Sequence, residues 1–310
     1  MSSIAKRRWG VAVGTIALVG YAVAFAFFLD IGALDLSWGD VGLLLIATVL
    51  QLAALWLFGE LFRQGVLAAG NQLKRGTAFR AALVGSSIAR LLPAGGAVTP
   101  VAMAWAVRKE APGSSGAAVR ATGLNYAGLV LITAGGLFIH SIFGTHPESA
   151  RTLRIFSGIA VVVAIVIVVV VSRLGAVKDK LPRRIRERLG NSMIDLPLDL
   201  WANLYLWGRL AAEAVVLLLV LVAFDIDLGL VEAVTAFGVS QIAAGIPGTP
   251  GGIGFAEAGL VGALGFFGVG ATMAVAPVLI FRVVSYWLPA GAGLVAGTSA
   301  FLSAPEAEAA

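Results

Sequence analysis

Six stretches of this chain are long and apolar enough to cross a lipid bilayer, and this property limits the fold more than any other. A helix needs about 20 apolar residues to cross a hydrocarbon layer roughly 30 Å thick. Hydrophobic residues make up 59% of the chain and charged residues only 13%, whereas soluble domains are about a quarter charged. The sequence therefore predicts an all-α polytopic membrane protein, with full crossings at about residues 9–29, 41–62, 119–140, 153–172, 201–223 and 272–297.

Two further apolar segments, at about residues 78–107 and 232–268, are interrupted by proline and glycine in the strings LLPAGGAVTP and GIPGTPGGIG. Pro93 and Pro247 lack an amide hydrogen, so regular helix should end near both. Irregular backbone is tolerated at membrane depth only where it is buried in protein or lines a wet cavity. We therefore expect two re-entrant helical hairpins around a polar site. Two ordinary crossings joined by a turn are the alternative for each segment.

Lysine and arginine placement predicts the orientation, because cytoplasmic loops carry an excess of these residues. Basic residues precede the first crossing, and the string VKDKLPRRIRERLG follows the fourth. We expect a multi-pass protein of the plasma membrane with both termini in the cytoplasm. The first apolar run is longer than a typical signal-peptide core and lacks a clear cleavage site, so we expect a retained helix, with a cleaved signal as the alternative.

In this scheme each half of the chain reads helix, helix, hairpin, helix, and the halves face opposite ways across the membrane. The prediction is one transmembrane domain over residues 1–304, with repeats at about 1–145 and 150–300, and a short acidic tail at 305–310. A shift of 154 positions places Ser86 on Ser240 and Pro93 on Pro247. In transporters with inverted repeats, matching helix breaks mark the binding site near the midplane.

Ionisable side chains inside apolar segments indicate function or a buried partner. Arg282 lies at least ten residues from either end of its span, where snorkelling is difficult, so a buried counter-charge or an anionic substrate group is expected beside it. Arg90 precedes the first break and is expected near the hairpin tip, with snorkelling as the alternative. Glu257 follows the second break and either caps free amides, exchanges a proton or binds a cation. Arg209 and Glu213 stand at i and i+4 and are expected to neutralise each other.

The candidate substrate-binding residues lie in or beside the broken segments and in the neighbouring crossings. Tyr286 is one of them, although aromatic residues near membrane interfaces are commonly anchors. The chain has no cysteine, P-loop or HExxH string, so no catalytic residue, metal site or cofactor is predicted. Its basic residues cluster beside apolar segments, which favours lipid headgroups over nucleic acid. The candidates are Arg90, Pro93, Arg120, Asn125, Gln241, Pro247, Gly251, Gly252, Glu257, Arg282 and Tyr286.

Three strings, LLPAGGAVTPVAMAWAVRK, GIPGTPGGIGFAEAG and FRVVSYWLPAGAG, resemble the lysylphosphatidylglycerol synthase transmembrane region, also called the flippase-like family. The resemblance covers nearly the whole chain, and its motif positions correspond to Pro247, Gly251, Gly252, Glu257 and Arg282. It implies a helical bundle with two inward-dipping hairpins. Larger members carry a soluble aminoacyl transferase domain after the bundle, and this chain resembles the stand-alone members.

The resemblance also implies movement of an anionic or modified phospholipid, or a polyprenyl-linked lipid, between leaflets. We therefore expect a lipid translocase rather than an enzyme, with a membrane lipid as its partner. A second copy of the chain or a separate synthase is a further candidate partner. The alternatives are a lipid-modifying enzyme or scaffold for a synthase, and a transporter of a small soluble anion.

Overall fold

A computed structural model describes residues 37–92, 95–143, 154–166, 200–246, 249 and 251–302, and these form helices joined by turns, with no β-strand among them. The predicted first crossing at 9–29 and the basic loop after the fourth crossing lie outside the described residues, as do Pro93 and Pro247. The helices, numbered in chain order, are α1 (Trp38–Ala68), α2 (Arg75–Leu91), α3 (Gly95–Ala106), α4 (Ser115–Phe143), α5 (Arg154–Val166), α6 (Leu200–Val222), α7 (Leu230–Ala244), α8 (Phe255–Phe266), α9 (Ala271–Arg282) and α10 (Leu288–Leu302). A π-helical turn, Val283–Trp287, joins α9 to α10 without a break.

Four helical segments of the described residues are long and apolar enough to cross a membrane: α1, α4, α6 and the continuous stretch Ala271–Gly297. They coincide with the predicted crossings at 41–62, 119–140, 201–223 and 272–297. The predicted crossing at 153–172 is described only as α5, which covers Arg154–Val166. The chain is therefore a helical, multi-pass membrane protein.

Local sequence explains where α1 begins. The Ser37 hydroxyl accepts a hydrogen bond from the Asp40 amide at 3.3 Å, and the Asp40 carboxylate accepts one from the Ser37 amide at 2.8 Å. This reciprocal capping box satisfies two of the amides that a helix leaves unpaired at its amino end. The apolar residues that follow then extend the helix for 31 residues.

Both proline- and glycine-rich strings interrupt helix, as predicted. The first break separates Leu91, the end of α2, from Gly95, the start of α3. The second separates Ala244, the end of α7, from Phe255, the start of α8. The four arms have 17, 12, 15 and 12 residues, which at 1.5 Å per residue makes them about 18–26 Å long.

Glycine is required in the second break. Gly251, Gly252 and Gly254 have φ values of 55°, 69° and 87°, in the left-handed region that residues with a Cβ rarely occupy. A Cβ on Gly252 would also collide with the backbone of Ala244. The turn therefore folds back against the end of α7 and directs the chain into α8.

The two breaks meet. The Gly251 amide in the second break donates a hydrogen bond to the Leu92 carbonyl oxygen in the first, at 3.4 Å. Around this junction α1 packs along α6, α2 packs against α3 and α10, and α7 packs against α8 and α4. Large apolar side chains such as Phe62, Leu217 and Phe237 are fully buried between these helices.

The packing contacts come in matched couples. The pair α2 and α10 corresponds to the pair α7 and α4, and the pair α3 and α4 corresponds to α8 and α9. A shift of 154 positions carries Arg75–Leu91 onto positions 229–245, which is α7 within one residue at each end. The same shift carries the end of α1, Ala68, onto Val222, the end of α6.

Candidate functional site

A partly open cavity of about 130 Å³ lies where the two breaks meet. It is bordered by the end of α2, the start of α3, the middle of α4 and α6, the end of α7, the glycine turn and the π-helical turn. Most of the side chains that face it are polar. The lining residues are Phe58, Ser86, Ala89, Arg90, Gly96, Thr99, Thr122, Asn125, Tyr126, Leu129, Arg209, Gln241, Ala244, Gly245, Thr249, Gly251, Gly252, Arg282, Ser285 and Tyr286.

Within the described ranges, three arginines border the cavity, and each comes from a different helix: Arg90 from α2, Arg209 from α6 and Arg282 from α9. A guanidinium inside a membrane protein is costly unless a carboxylate, a carbonyl oxygen or a substrate offsets its charge. The partners of the three side chains therefore decide what the cavity can bind.

Arg282 is neutralised within the protein. Its Nε atom donates to Glu257 Oε1 at 2.7 Å, and its guanidinium lies 4.1 Å from the centre of the Tyr286 ring. A further hydrogen bond runs to the Gly251 carbonyl oxygen at 3.4 Å. The Arg282 side chain is only 3% exposed and that of Glu257 is 17% exposed. The buried counter-charge expected from the sequence is thus Glu257.

Glu257 also caps a helix. Its Oε2 atom accepts a hydrogen bond from the Gly254 amide at 2.7 Å, which caps the amino end of α8. The capping interpretation of this residue is confirmed. One carboxylate therefore joins the glycine turn, α8 and α9, and it lies behind the cavity wall.

Arg209 is also paired. Its guanidinium donates to Glu213 Oε1 at 3.2 Å and to Asn125 Oδ1, and it lies 4.1 Å from the centre of the Phe58 ring. Gln51 on α1 donates to the same Glu213 oxygen at 3.4 Å. The predicted neutralisation of Arg209 by Glu213 is confirmed, yet Arg209 still borders the cavity.

Arg90 differs from the other two. Its guanidinium donates to the Ser285 carbonyl oxygen at 2.9 Å and lies 5.6 Å from the centre of the Tyr286 ring. The Tyr286 hydroxyl donates back to the Arg90 carbonyl oxygen at 2.6 Å. Within the described part of the chain, no carboxylate lies within 4.0 Å of Arg90. These contacts hold the side chain against the π-helical turn, so it does not snorkel.

The cavity also offers uncharged hydrogen-bonding groups. Gln241 borders it, and among the described residues its side chain makes no hydrogen bond. Gly96, next to the start of α3, borders it as well, and helix amino ends carry partial positive charge. These groups complement an anion with several acceptor oxygens.

Most of the predicted site residues come together. Arg90, Asn125, Gln241, Gly251, Gly252, Arg282 and Tyr286 border the cavity, and Glu257 lies behind Arg282. Arg120 is buried on α4 and does not border the cavity. Pro93 and Pro247 lie outside the described residues. Among the residues that the structure describes, no group of three histidine, aspartate or glutamate side chains could hold a metal ion.

Sequence reasoning missed several residues of the cavity wall. The most important is Arg209. An arginine inside an apolar helix indicates function, but Glu213, one turn away, was expected to neutralise its charge. The others include Ser86, Thr122, Tyr126, Thr249 and Ser285, which are common residue types. Four of them, Thr122, Tyr126, Thr249 and Ser285, lie within two residues of a predicted position, whereas Ser86 lies four residues from Arg90.

Comparison with known families places the chain in a family. The family model described as the lysylphosphatidylglycerol synthase TM region matches residues 9–293. That range includes both breaks and every residue that borders the cavity. Comparison with curated proteins gives no match.

Proposed function

We propose that this chain, which belongs to the family of the lysylphosphatidylglycerol synthase transmembrane region, is a translocase for a membrane lipid. Its substrate would be an anionic or modified phospholipid, or a polyprenyl-linked lipid, and it would move between leaflets without a change in covalent structure. The family itself supports a role connected with membrane lipids. The observation that carries the transport proposal is Arg90, a cavity arginine with no carboxylate partner in the described part of the chain.

The chemistry of the cavity supports an anionic headgroup. The Arg90 guanidinium donates to one carbonyl oxygen at 2.9 Å, and its other N–H groups remain for a ligand, since guanidinium has five donors in a planar fork. Phosphate oxygens match that fork well. Gln241 and the amino end of α3 would add donors, while the acyl chains would stay in the surrounding lipid.

We further propose that the two broken segments are re-entrant hairpins of an inverted repeat. The arms are about 18–26 Å long at 1.5 Å per residue, shorter than the roughly 30 Å hydrocarbon layer. The matched packing couples and the 154-residue register support two equivalent halves. Such repeats rock against each other around a central site in many transporters.

The chain's lack of cysteine provides a direct test of this topology. Single cysteines at Gly76 and Ser115 flank the first hairpin, and single cysteines at Asp227 and Thr272 flank the second; all four positions are exposed. In intact cells, a membrane-impermeant thiol reagent should label the cysteines at Asp227 and Thr272 but not those at Gly76 and Ser115, which should react only after the membrane is permeabilised. If the two members of a pair were labelled from opposite sides, that segment would cross the membrane an odd number of times, which would exclude a re-entrant hairpin.

We also place both termini in the cytoplasm and the protein in the plasma membrane, on the strength of the positive-inside rule. A cysteine in place of Ser3 would report the amino end and one in place of Ser303 the carboxyl end. Both should react only after the membrane is permeabilised. Labelling of either in intact cells would reverse the assigned orientation.

The activity is tested by reconstitution. Purified protein in liposomes should speed exchange of a labelled anionic phospholipid between leaflets, and mass spectrometry should recover that lipid unchanged. Arg90→Ala should slow exchange about tenfold or more, which corresponds to about 1.4 kcal/mol of lost interaction in the rate-limiting step.

The matched control is Arg80→Ala on the same helix. Arg80 is 38% exposed and pairs with Glu110 at 3.8 Å, away from the cavity. Its variant should exchange lipid at the wild-type rate. Equal rates for Arg90→Ala and wild type would refute the proposed role of the cavity, and a chemically altered lipid would favour a lipid-modifying enzyme.

A further inference from the structure

The charges around the cavity do not cancel, and their balance says which headgroup fits. Among the described residues, three arginines border the cavity: Arg90, Arg209 and Arg282. Two carboxylates contact those arginines: Glu213 at 3.2 Å from Arg209 and Glu257 at 2.7 Å from Arg282. Three positive and two negative charges leave one positive charge. This uncompensated positive charge is that of Arg90, which has no carboxylate within 4.0 Å in the described part of the chain.

The loops of the breaks themselves do not change this balance. Positions 93, 94, 247, 248 and 250, next to the cavity in sequence, are proline, alanine, proline, glycine and proline, none of which ionises. Arg120 lies on α4 but does not border the cavity. Tyr126, Tyr286, Asn125 and Gln241 add hydrogen-bonding groups without charge.

The two internal pairs are poor sites for a substrate anion. Each already contains a carboxylate bound to the arginine, and an anion there would have to displace it or lie beside a like charge, which costs free energy in a poorly hydrated site. Arg90 needs no such displacement. A ligand that brings one negative charge would leave the cavity neutral, whereas one that brings two would leave it negatively charged.

We propose that the substrate is a lipid with a singly charged phosphodiester headgroup that carries no fixed cation, such as a glycerol phosphodiester, and that the balance of three arginines against Glu213 and Glu257 sets this selectivity. This inference rests on the translocase function proposed above and adds its substrate class. A phosphodiester carries one negative charge at neutral pH, and a phosphomonoester carries about −1.5 to −2. Zwitterionic headgroups bring a cation toward an already positive cavity, and diphosphate headgroups bring excess negative charge.

The selectivity is tested with acyl-labelled phosphatidylglycerol, phosphatidic acid and phosphatidylethanolamine in proteoliposomes of otherwise identical composition. The first carries one negative charge, the second is a phosphomonoester and the third is zwitterionic. Wild-type protein should exchange phosphatidylglycerol about tenfold faster than either of the others, a difference of about 1.4 kcal/mol. Equal initial rates for all three lipids would overturn the inference while leaving the translocase function in place.

Two charge variants then test the cause. Glu213→Gln and Glu257→Gln each remove one negative charge. Glu213→Gln keeps an acceptor oxygen for Arg209, and Glu257→Gln keeps one for Arg282 but puts an NH2 group where the carboxylate accepts from the Gly254 amide. Each should raise the rate for phosphatidic acid relative to phosphatidylglycerol by about fivefold or more, since the cavity then carries two net positive charges. They lie on α6 and α8, so loss of folding in one leaves the other informative. An unchanged ratio in a folded variant would show that these carboxylates do not set selectivity.

A last experiment distinguishes a lipid substrate from a soluble anion that has the same headgroup. Liposomes loaded with radiolabelled glycerophosphoglycerol, the headgroup without acyl chains, should retain it in the presence of the protein. Release of this probe at the rate of phosphatidylglycerol exchange would overturn the assignment of a lipid substrate. Absence of exchange for every lipid tested would instead refute the translocase function.

Discussion

The first broken segment, α2 and α3, presents Arg90 to the cavity with a carbonyl oxygen for its guanidinium. The second, α7 and α8, instead carries Glu257, which neutralises Arg282 and caps α8. The segments have arms of similar length and occupy matching places in the chain. Their difference indicates a division of tasks: the second segment builds a rigid, neutral wall, and the first leaves a cation for a ligand. Equivalent backbone in two halves therefore does not require equivalent chemistry.

A single added methyl group in the second segment should give the largest loss of stability. Gly252→Ala places a Cβ against the Ala244 backbone at a φ of 69°. Overpacking and left-handed strain each cost roughly 1–3 kcal/mol, so we expect a loss of about 4 kcal/mol in the free energy of unfolding. Thermal unfolding of the purified protein in detergent measures the change.

The control for Gly252 lies in the first segment. Gly76, in the first turn of α2, has nothing within 4 Å of an added Cβ, so Gly76→Ala should leave stability unchanged or raise it by about 0.5–1 kcal/mol. Similar unfolding temperatures for the two variants would contradict a rigid second segment.

Breaking the ion pair of the second segment should give the next largest loss of stability. Arg282→Ala leaves Glu257 without its cation in a largely buried place, and breaking a buried pair costs about 3–5 kcal/mol. Because Glu257 is 17% exposed, we expect about 3 kcal/mol in an unfolding measurement, near the lower end of that range.

The double variant Arg282→Met with Glu257→Gln removes both charges. It should recover part of the lost stability, since no unpaired charge is left. If the double variant were as unstable as the sum of its two single substitutions, charge pairing would not be what stabilises this wall.

The broad fold followed from the sequence because its causes are local. Runs of apolar residues specify crossings, and proline with glycine specifies breaks, so the crossings at 41–62, 119–140, 201–223 and 272–297 and both breaks were predictable. The contacts of Arg90 were not. Ser285 is 195 residues away in sequence, and its carbonyl oxygen lies in a π-helical turn for which no sequence signal was found.

The pairing of Arg282 shows the same limit. A buried counter-charge was expected from the depth of this residue in its span. Its identity depends on a glycine turn that brings Glu257, 25 residues earlier, to within 2.7 Å. Charge and depth are properties of a sequence, while the partner is a property of tertiary packing.

The first segment should lose less stability than the second when its cation is removed. Arg90→Ala breaks one hydrogen bond from a charged group to the Ser285 carbonyl oxygen, which is worth about 1.5 kcal/mol, and removes an unpaired positive charge. We therefore expect a destabilisation of about 1 kcal/mol or less, measured as for Arg282→Ala. A loss equal to that of Arg282→Ala would mean that Arg90 has a structural task like the second segment's pair.

The smallest expected difference lies between two serines related by the 154-residue shift. Ser240 is fully buried on α7, and its hydroxyl donates to the Ala256 carbonyl oxygen at 3.1 Å, which ties α7 to α8. Ser86 on α2 borders the cavity, where water or a ligand can satisfy its hydroxyl. Ser240→Ala should cost about 1 kcal/mol in unfolding, and Ser86→Ala about 0.5 kcal/mol or less. In the exchange assay the order should reverse, because only Ser86 faces the headgroup. If the two substitutions had equal effects in both assays, the hydroxyls of Ser240 and Ser86 would have the same role. The two segments would then not differ in function as proposed.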